Sequence, residues 1–255
     1  MDGHDVGLER ALRGCRFGNA IRAFTACDST MERAHALVRE GAGEGTLVVA
    51  ARQEQGRGRL GRPWASPEGG AYFSLILTPR RPPADIPQLS LVAGLATAEA
   101  LQEATGLSPA IRWPNDLLLD GRKVAGILVE ARNGAVVLGI GINVKTAPET
   151  LPETATSLAA HGASCSPSHV IVTVCRHVDR WYDVWSATGF APIQEALRPW
   201  LSHMGQLVRL ITGDAQMEGQ VMDVDEAGRL LIRLESGMIR SVETGEVRLL
   251  HEAVG

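Results

Sequence analysis

The stretch Arg52-Gln53-Glu54-Gln55-Gly56-Arg57-Gly58-Arg59-Leu60-Gly61-Arg62-Pro63-Trp64, continuing to Ser66-Pro67-Glu68-Gly69-Gly70, lies between two apolar runs, 46–51 and 71–78. Both runs have strand length and aliphatic composition, which predicts buried strands. A strand–loop–strand context argues against a dinucleotide fold, in which a helix follows the glycines directly. No Gly-Lys-Ser/Thr follows at the spacing of a phosphate-binding P-loop. Glycine lets backbone N–H groups come close to a ligand. Arginine forks match phosphate or carboxylate oxygens, and Trp64 adds a flat apolar face. The combination suits a loop that closes over an anionic ligand bearing a ring. A solvated basic surface loop is the alternative that this stretch alone leaves open.

A chain of 255 residues accommodates one large domain, or a large one plus a small one, and 45% apolar residues suffice for a proper core. The formal net charge of -4 provides no global basic field for nucleic acid, so the positive charge at 52–62 is local. Cys15, Cys27, Cys165 and Cys175 form no CxxC pair and no metal spacing. They read as reduced thiols of a cytoplasmic protein. The start, Met1-Asp2-Gly3-His4-Asp5, lacks the charged and apolar regions of a signal peptide. No apolar stretch approaches the roughly 18 residues of a membrane span.

Along the chain, residues 1–20 show weak periodicity, and 21–24 read as a short strand. Asp28-Ser29-Thr30-Met31-Glu32 has Ser29 and Glu32 at capping-box spacing, which predicts a helix to about Glu40 ended by Gly41. Besides capping, such a helix start offers hydroxyls and free N–H groups to a polar ligand. The stretch 79–87 is turn-rich, and 88–105 has helical periodicity. Residues 111–114 read as a short strand stopped by proline. Asp120-Gly121 and Asn133-Gly134 predict successive hairpins joining 116–119, 123–131 and 135–144. After a loop over 145–166, with a helical turn expected at 156–161, residues 167–185 read as a helix, followed by a shorter one to about Leu201. Five short strands then follow, over 207–211, 217–224, 230–234, 239–242 and 247–250, separated by turns such as Thr212-Gly213-Asp214. The expected fold is α+β: a mixed, largely antiparallel sheet packed with helices, plus a small C-terminal SH3-like β-barrel. The expected division is 1–203 and 204–255.

A second block is Arg112-Trp113-Pro114-Asn115-Asp116, then Gly121-Arg122-Lys123-Val124-Ala125-Gly126-Ile127-Leu128-Val129-Glu130. Lys123 opens an otherwise apolar strand, so it either snorkels to water or points into a cleft. Gly126 weakens a strand interior unless something must approach it closely. Gly139-Ile140-Gly141-Ile142-Asn143 repeats that pattern, with two glycines on one face and then an amide. Each feature has a plain structural explanation, such as a bulge, a hairpin or a surface lysine. Together they suggest a pocket floored by bare strand backbone with Lys123 and the arginines at its rim.

With the Gly-Arg-Gly-Arg loop, Trp-Pro-Asn-Asp and Gly-Arg-Lys-Val-Ala-Gly-Ile-Leu-Val-Glu in this order, the chain from Asp28 to about Leu250 resembles the biotin protein ligases. Within that resemblance it is similar to the monofunctional type, without an N-terminal DNA-binding domain. The resemblance implies ATP-dependent activation of biotin to biotinyl-5′-AMP with release of pyrophosphate. The biotinyl group then passes to a lysine of a biotin carboxyl carrier protein. It implies a biotin site at Ser29, Thr30, Gln53, Gly56, Arg57, Lys123, Gly126, Gly139 and Gly141. The implied ATP site comprises Arg57, Arg59, Arg62, Trp64, Asn115, Lys123 and Asn143. Lys123, Arg57 and Asp116 would be catalytic, with Mg²⁺ accompanying ATP near Asp116. The C-terminal barrel's part in nucleotide or acceptor contacts is only weakly implied. The family commonly has Asn after Ser-Thr, where this chain has Met31. The loop over 52–70 is expected to be mobile without ligand, because its glycines and unpaired arginines cannot pack alone. The rival readings are a lipoate or octanoate protein ligase or transferase, and a non-enzymatic ligand-sensing module. A monomer and a homodimer are both compatible with the sequence.

Overall fold

A computed structural model describes residues 3–213 and 215–250. Asp214 of the expected 212–214 turn, residues 1 and 2, and residues 251–255 of the expected C-terminal unit lie outside the described residues.

Seven strands form the main sheet: β1 (Ala20–Cys27), β2 (Thr46–Gln53), β3 (Ala71–Leu77), β4 (Ala110–Arg112), β5 (Asp116–Leu119), β6 (Arg122–Arg132) and β7 (Ala135–Ile142). Their order is β1-β2-β3-β7-β6-β5-β4. Only β1 and β2 run parallel, because helix α2 (Thr30–Arg39) crosses over between them; parallel neighbours need such a crossover. Tight turns make the β5–β6 and β6–β7 hairpins. Asp120 and Gly121 (φ 47 and 76) and Asn133 and Gly134 (φ 53 and 76) all adopt left-handed backbone, as the sequence requires of such turns.

Both faces of the sheet are covered, so β3 is buried along its whole length. On one face lie α3 (Leu89–Thr105) and α4 (Pro167–Thr188), together with an N-terminal helix α1 (Gly3–Ala11). Leu47, Leu75 and Leu138 point into this main core. On the other face α2 places Met31 and Ala34 against Val48, Ile76 and Val137. The alternation of strand residues between these two sets is the period-2 pattern of a sheet.

Helix α3 is buried almost all round and ends at Gly106 (φ 73). A 3₁₀ turn over Pro83–Gln88 leads into it. In α4, Ser166 caps the start, and Val170, Val174, Val178 and Trp185 are buried, so its aromatic stripe is core. A short helix α5 (Ala191–Leu197) and a 3₁₀ turn over Arg198–Trp200 follow. The C-terminal unit is a five-stranded antiparallel sheet: β8 (Leu207–Thr212), β9 (Ala215–Val224), β10 (Leu230–Arg233), β11 (Ile239–Val242) and β12 (Glu246–Leu249), ordered β11-β10-β9-β8-β12.

Two expectations change. The first twenty residues are not featureless, because Leu8, Leu12, Cys15 and Phe17 enter the main core. Ser29 is the N-cap of α2, yet its side chain makes no capping bond. The Glu32 carboxylate is drawn away to Arg57, so the capping box does not form. All four cysteines are buried and free, and burial pushes the Cys15 and Cys27 thiols up to about 11. No helix among the described residues is long and apolar enough to cross a membrane.

Candidate active site

The cavity, about 400 Å³, opens on the α2 side of the main sheet where β5, β6 and β7 meet the Gly/Arg loop and the C-terminal unit. Its floor is backbone. Gly126 stands directly across from Gly141 in the β6–β7 ladder, and Gly139 faces Leu128. A Cβ at Gly141 would come within 2.6 Å of the Trp64 indole nitrogen, and one at Gly139 within 2.5 Å of the Met31 sulfur. The strands are bare where a flat group must lie against them.

One end of the cavity is polar. The Gln53 carbonyl oxygen accepts from the Thr30 backbone N–H at 2.8 Å and from the Thr30 hydroxyl at 3.1 Å. The Gln53 amide nitrogen donates to Ser66 at 2.8 Å, and the Ser74 hydroxyl donates to Thr30 at 2.9 Å. Ser29 is 2% exposed, and its hydroxyl has no partner. A buried hydroxyl left unpaired in an otherwise satisfied network costs stability unless a ligand completes it.

The other end is cationic. Lys123 reaches the Asp116 carboxylate at 2.5 Å and lies over the Trp64 ring, 5.0 Å from its centroid. Arg112 holds the second Asp116 oxygen at 2.9 Å. Arg59 donates to the Asn115 side-chain oxygen at 3.1 Å and to Thr244 at 2.5 Å, while the Asn115 amide donates to the Ile127 carbonyl. Arg62 pairs with Glu246 at 2.7 Å. Arg57 pairs with Glu32 and lies 3.6 Å from Glu130, whose other oxygen meets His35 at 2.9 Å. The loop arginines are therefore paired, against expectation. Acidic side chains from α2, β6 and β12 come to them, which no local pattern could reveal. The loop also braces itself through Trp64 N–H to the Gly56 carbonyl and Gly58 N–H to the Arg62 carbonyl, each 2.8 Å.

Five cations (Arg57, Arg59, Arg62, Arg112 and Lys123) line the cavity against two carboxylates, Asp116 and Glu246. Burial pulls Arg59 below its ordinary range; Asp116 opposes this and Arg62 adds to it. Arg57 is also offset by Glu32 and Glu130 from outside the lining. Arg59 stays charged regardless with only the neutral Asn115 and Thr244 as hydrogen-bond partners, which suits it to an anion.

Among the expected site residues, Ser29, Thr30, Gln53, Arg57, Arg59, Arg62, Trp64, Asn115, Asp116, Lys123, Gly126, Gly139 and Gly141 all line this cavity. Gly56 and Asn143 do not. A Cβ at Gly56 would strike the Trp64 carbonyl at 2.5 Å, so this glycine lets the loop cross itself. Asn143 is 1% exposed, and its amide donates to the Thr156 carbonyl at 2.9 Å, leaving its side-chain oxygen without a partner. Sequence reasoning missed the wall built by the C-terminal unit, Ile211 to Gly213 and Thr244 to Val247. The Thr244-Gly245 turn signalled a loop there, but not what it faces. Among the described residues no group of three His, Cys, Asp or Glu side chains is placed to hold a metal ion. Asp116 is already neutralised by Lys123 and Arg112. The side chains alone do not fit a Mg²⁺ site, and an ion there would depend on oxygens brought by a substrate.

A glycine floor, a cationic rim and a second β unit as wall define a site for a flat or apolar group that meets an anion. Residues 24–146 match the Biotin/lipoate A/B protein ligase family, and residues 203–250 match the biotin protein ligase C terminal domain. Similar chains include the bifunctional ligase/repressor BirA of Bacillus subtilis, 37% identical over 87% of this chain and 71% of that one. The biotin--[acetyl-CoA-carboxylase] ligase of Paracoccus denitrificans is 35% identical over 74% and 85% of the two chains. The biotin protein ligase of Aquifex aeolicus, solved in complex with biotin and ATP, superposes with a TM-score of 0.81 at 34% identity, covering 91% and 98% of the two chains. The chain belongs to the biotin protein ligase family and is a ligase.

Proposed function

We propose that the chain condenses biotin with ATP to biotinyl-5′-AMP and transfers the biotinyl group to a lysine of a biotin carboxyl carrier domain. The observation that carries this reading is the junction at Lys123. Its ammonium stands where the glycine floor meets the arginine rim, with the Trp64 ring beneath it. An apolar acid laid on Gly126, Gly139 and Gly141 would end at that ammonium. A nucleotide held by Arg57, Arg59 and Arg62 would bring its α-phosphate to the same point. The unpaired Ser29 hydroxyl, with Thr30 and Gln53, supplies the donors and acceptors that a ureido ring needs. Asn115, which lines the cavity and accepts from Arg59, keeps that guanidinium on the nucleotide side, whereas the buried Asn143 acts from behind the wall. The Leishmania major relative, at 25% identity and a TM-score of 0.64, was solved in complex with biotinyl-5-AMP.

In the first step a biotin carboxylate oxygen attacks the α-phosphorus. The bond to the bridging oxygen breaks and pyrophosphate leaves. Lys123 offsets the repulsion between the carboxylate and phosphate and stabilises charge developing at phosphorus. Arg57 and Arg62 exchange their carboxylate partners, and Arg59 its Asn115 and Thr244 contacts, for phosphate oxygens. In the second step an acceptor amine attacks the acyl carbon, AMP leaves with the bonding pair, and the amine loses a proton. Asp116 lies at the rim, where it can orient that amine. No covalent enzyme intermediate is required. The test is biotin-dependent exchange of labelled pyrophosphate into ATP, with lipoate and octanoate run in parallel. Exchange with biotin alone upholds the reading. Exchange with lipoate or octanoate instead moves the chain to the other branch of its ligase class.

A further inference from the structure

Lys123 owes its place to more than its own strand. Its backbone N–H donates to the Thr154 carbonyl at 2.9 Å, and its carbonyl accepts from the Thr156 N–H at 2.9 Å. The segment around Ala155 thus pairs with Lys123 as a short parallel bridge. This segment belongs to a connection without long regular structure; the Leu158 and Ala159 N–H groups anchor it to the Asn143 and Val144 carbonyls, each at 2.9 Å, and side chains brace the part beside Lys123. Two do so at Thr156: the Asn143 amide on its carbonyl, and His161 Nε2 on its hydroxyl at 3.0 Å. His161 sits at the end of the 3₁₀ turn Ala159–His161 and is mostly buried. Its other nitrogen, Nδ1, lies 3.3 Å from the Asp120 carboxylate. Asp120 is the tip of the β5–β6 turn, three residues before Lys123.

We infer that His161 is a positioning residue for Lys123, bracing from outside the cavity the two chain segments that flank it. The inference rests on the proposed adenylation chemistry, in which Lys123 must meet two anions at once. His161 lies outside the cavity lining, so it acts through Thr156. In the neutral ring with the proton on Nδ1, Thr156 donates to Nε2 and Nδ1–H donates to Asp120, and both contacts are satisfied. The Thr156 contact is the stronger of the two, because the Asp120 side chain is 87% exposed and water competes for its bond to His161. The titratable group that faces the His161 ring is Asp120 on the turn. Asp116 is already engaged by Lys123 and Arg112.

The experiment compares wild type, His161→Ala and His161→Gln in biotin-dependent pyrophosphate exchange and in amide hydrogen exchange. In His161→Ala the Lys123 and Thr156 amides exchange faster. Its kcat falls about ten-fold, short of the roughly hundred-fold that a full 1 Å misplacement can cost, while the KM for biotin stays within about two-fold. Glutamine can accept from Thr156 and donate towards Asp120, so His161→Gln recovers most of both. If His161→Ala does not fold, Thr156→Val, which removes only the hydroxyl, is read in the same way. Unchanged amide protection, or unchanged kcat in a protein whose wild type is active, overturns the inference. A wild type without biotin-dependent exchange overturns the functional reading instead, and the amide protection then decides the inference about His161 alone.

Discussion

At the scale of single residues the site separates binding from chemistry. Lys123 is 26% exposed, ion-paired to Asp116 and stacked on Trp64, so its charge is aimed rather than free. On the proposed adenylation, replacing it with alanine removes a preorganised cation beside the phosphate, a loss that costs roughly 10²–10³ in rate at comparable sites. Lys123→Ala should therefore lose at least about a hundred-fold in single-turnover adenylate formation. Its circular dichroism should stay unchanged, since the ammonium supports no core contact. A wild-type single-turnover rate would remove Lys123 from the mechanism. The glycines behave differently from one another. At Gly139 the obstructing atom is the end of a flexible methionine, which can swing aside. At Gly141 it is the rigid indole of Trp64, held beneath Lys123. Overpacking of that kind costs about 1–3 kcal/mol. Gly141→Ala should thus raise the KM for biotin about ten-fold or more, and Gly139→Ala should raise it by only a few-fold. Equal effects at the two positions would show that Trp64 yields as easily as Met31.

At the scale of elements, the Gly/Arg loop is strapped to the C-terminal unit by Arg62–Glu246 and by Arg59 to Thr244. Burial raises the Glu246 pKa, but the bonds from Arg62 and Arg248 outweigh it and leave the carboxyl below the ordinary carboxylate range. A carboxyl lowered in the folded state contributes stability that is fully present above its ordinary pKa. That contribution is lost as pH falls through the lowered value. The strap should therefore hold at neutral pH and release in acid, below the usual carboxylate range. Limited proteolysis of the loop across acidic pH, using an acid-tolerant protease, reads this. Wild type should become more sensitive as pH falls, whereas Glu246→Gln should be sensitive throughout. A pH-independent wild type would show that the pair carries no strap.

These elements also show what the chain alone reveals. Both hairpins were legible because Asp-Gly and Asn-Gly specify left-handed turns, and α3 was legible from its period and its terminal glycine. The glycine floor was legible because a strand tolerates glycine poorly without a reason. Helix α1 was not legible, because it carries Leu8 as a buried anchor while Leu12, Cys15 and Phe17 enter the core after its end. The lost capping box and the paired arginines were not legible either. The first, and the Arg57 pair, depend on Glu32, which local pattern assigns to its own helix and tertiary structure assigns to Arg57, while Arg62 finds Glu246 far along the chain.

At the scale of the whole molecule, the family's two sequence regions do not correspond to two separate cores. Val208, Leu210, Val221, Leu230, Ile232 and Val247 of the C-terminal unit belong to the same apolar cluster as Leu89, Ile111 and Trp113. Polar contacts cross the same boundary. Trp113 donates to the Gly228 carbonyl at 3.0 Å, Gln194 donates to the Val224 carbonyl at 2.5 Å, and Arg198 pairs with Asp223 at 2.7 Å. A β unit of about fifty residues buries too little surface to be comfortably stable alone, and this one shares its apolar residues with the larger layer. The cavity wall built by Thr244 to Val247 is thereby held rigidly against the arginine rim. The expected consequence is a single unfolding transition. Calorimetric and van't Hoff enthalpies should agree, and tryptophan fluorescence and far-ultraviolet dichroism should report the same urea midpoint. A chain cut after residue 203 should lose solubility, because it exposes Trp113, Ile111 and Leu201 together. If two transitions were resolved instead, the C-terminal unit would be an independent module docked on the rim, and the site's wall would open and close with it.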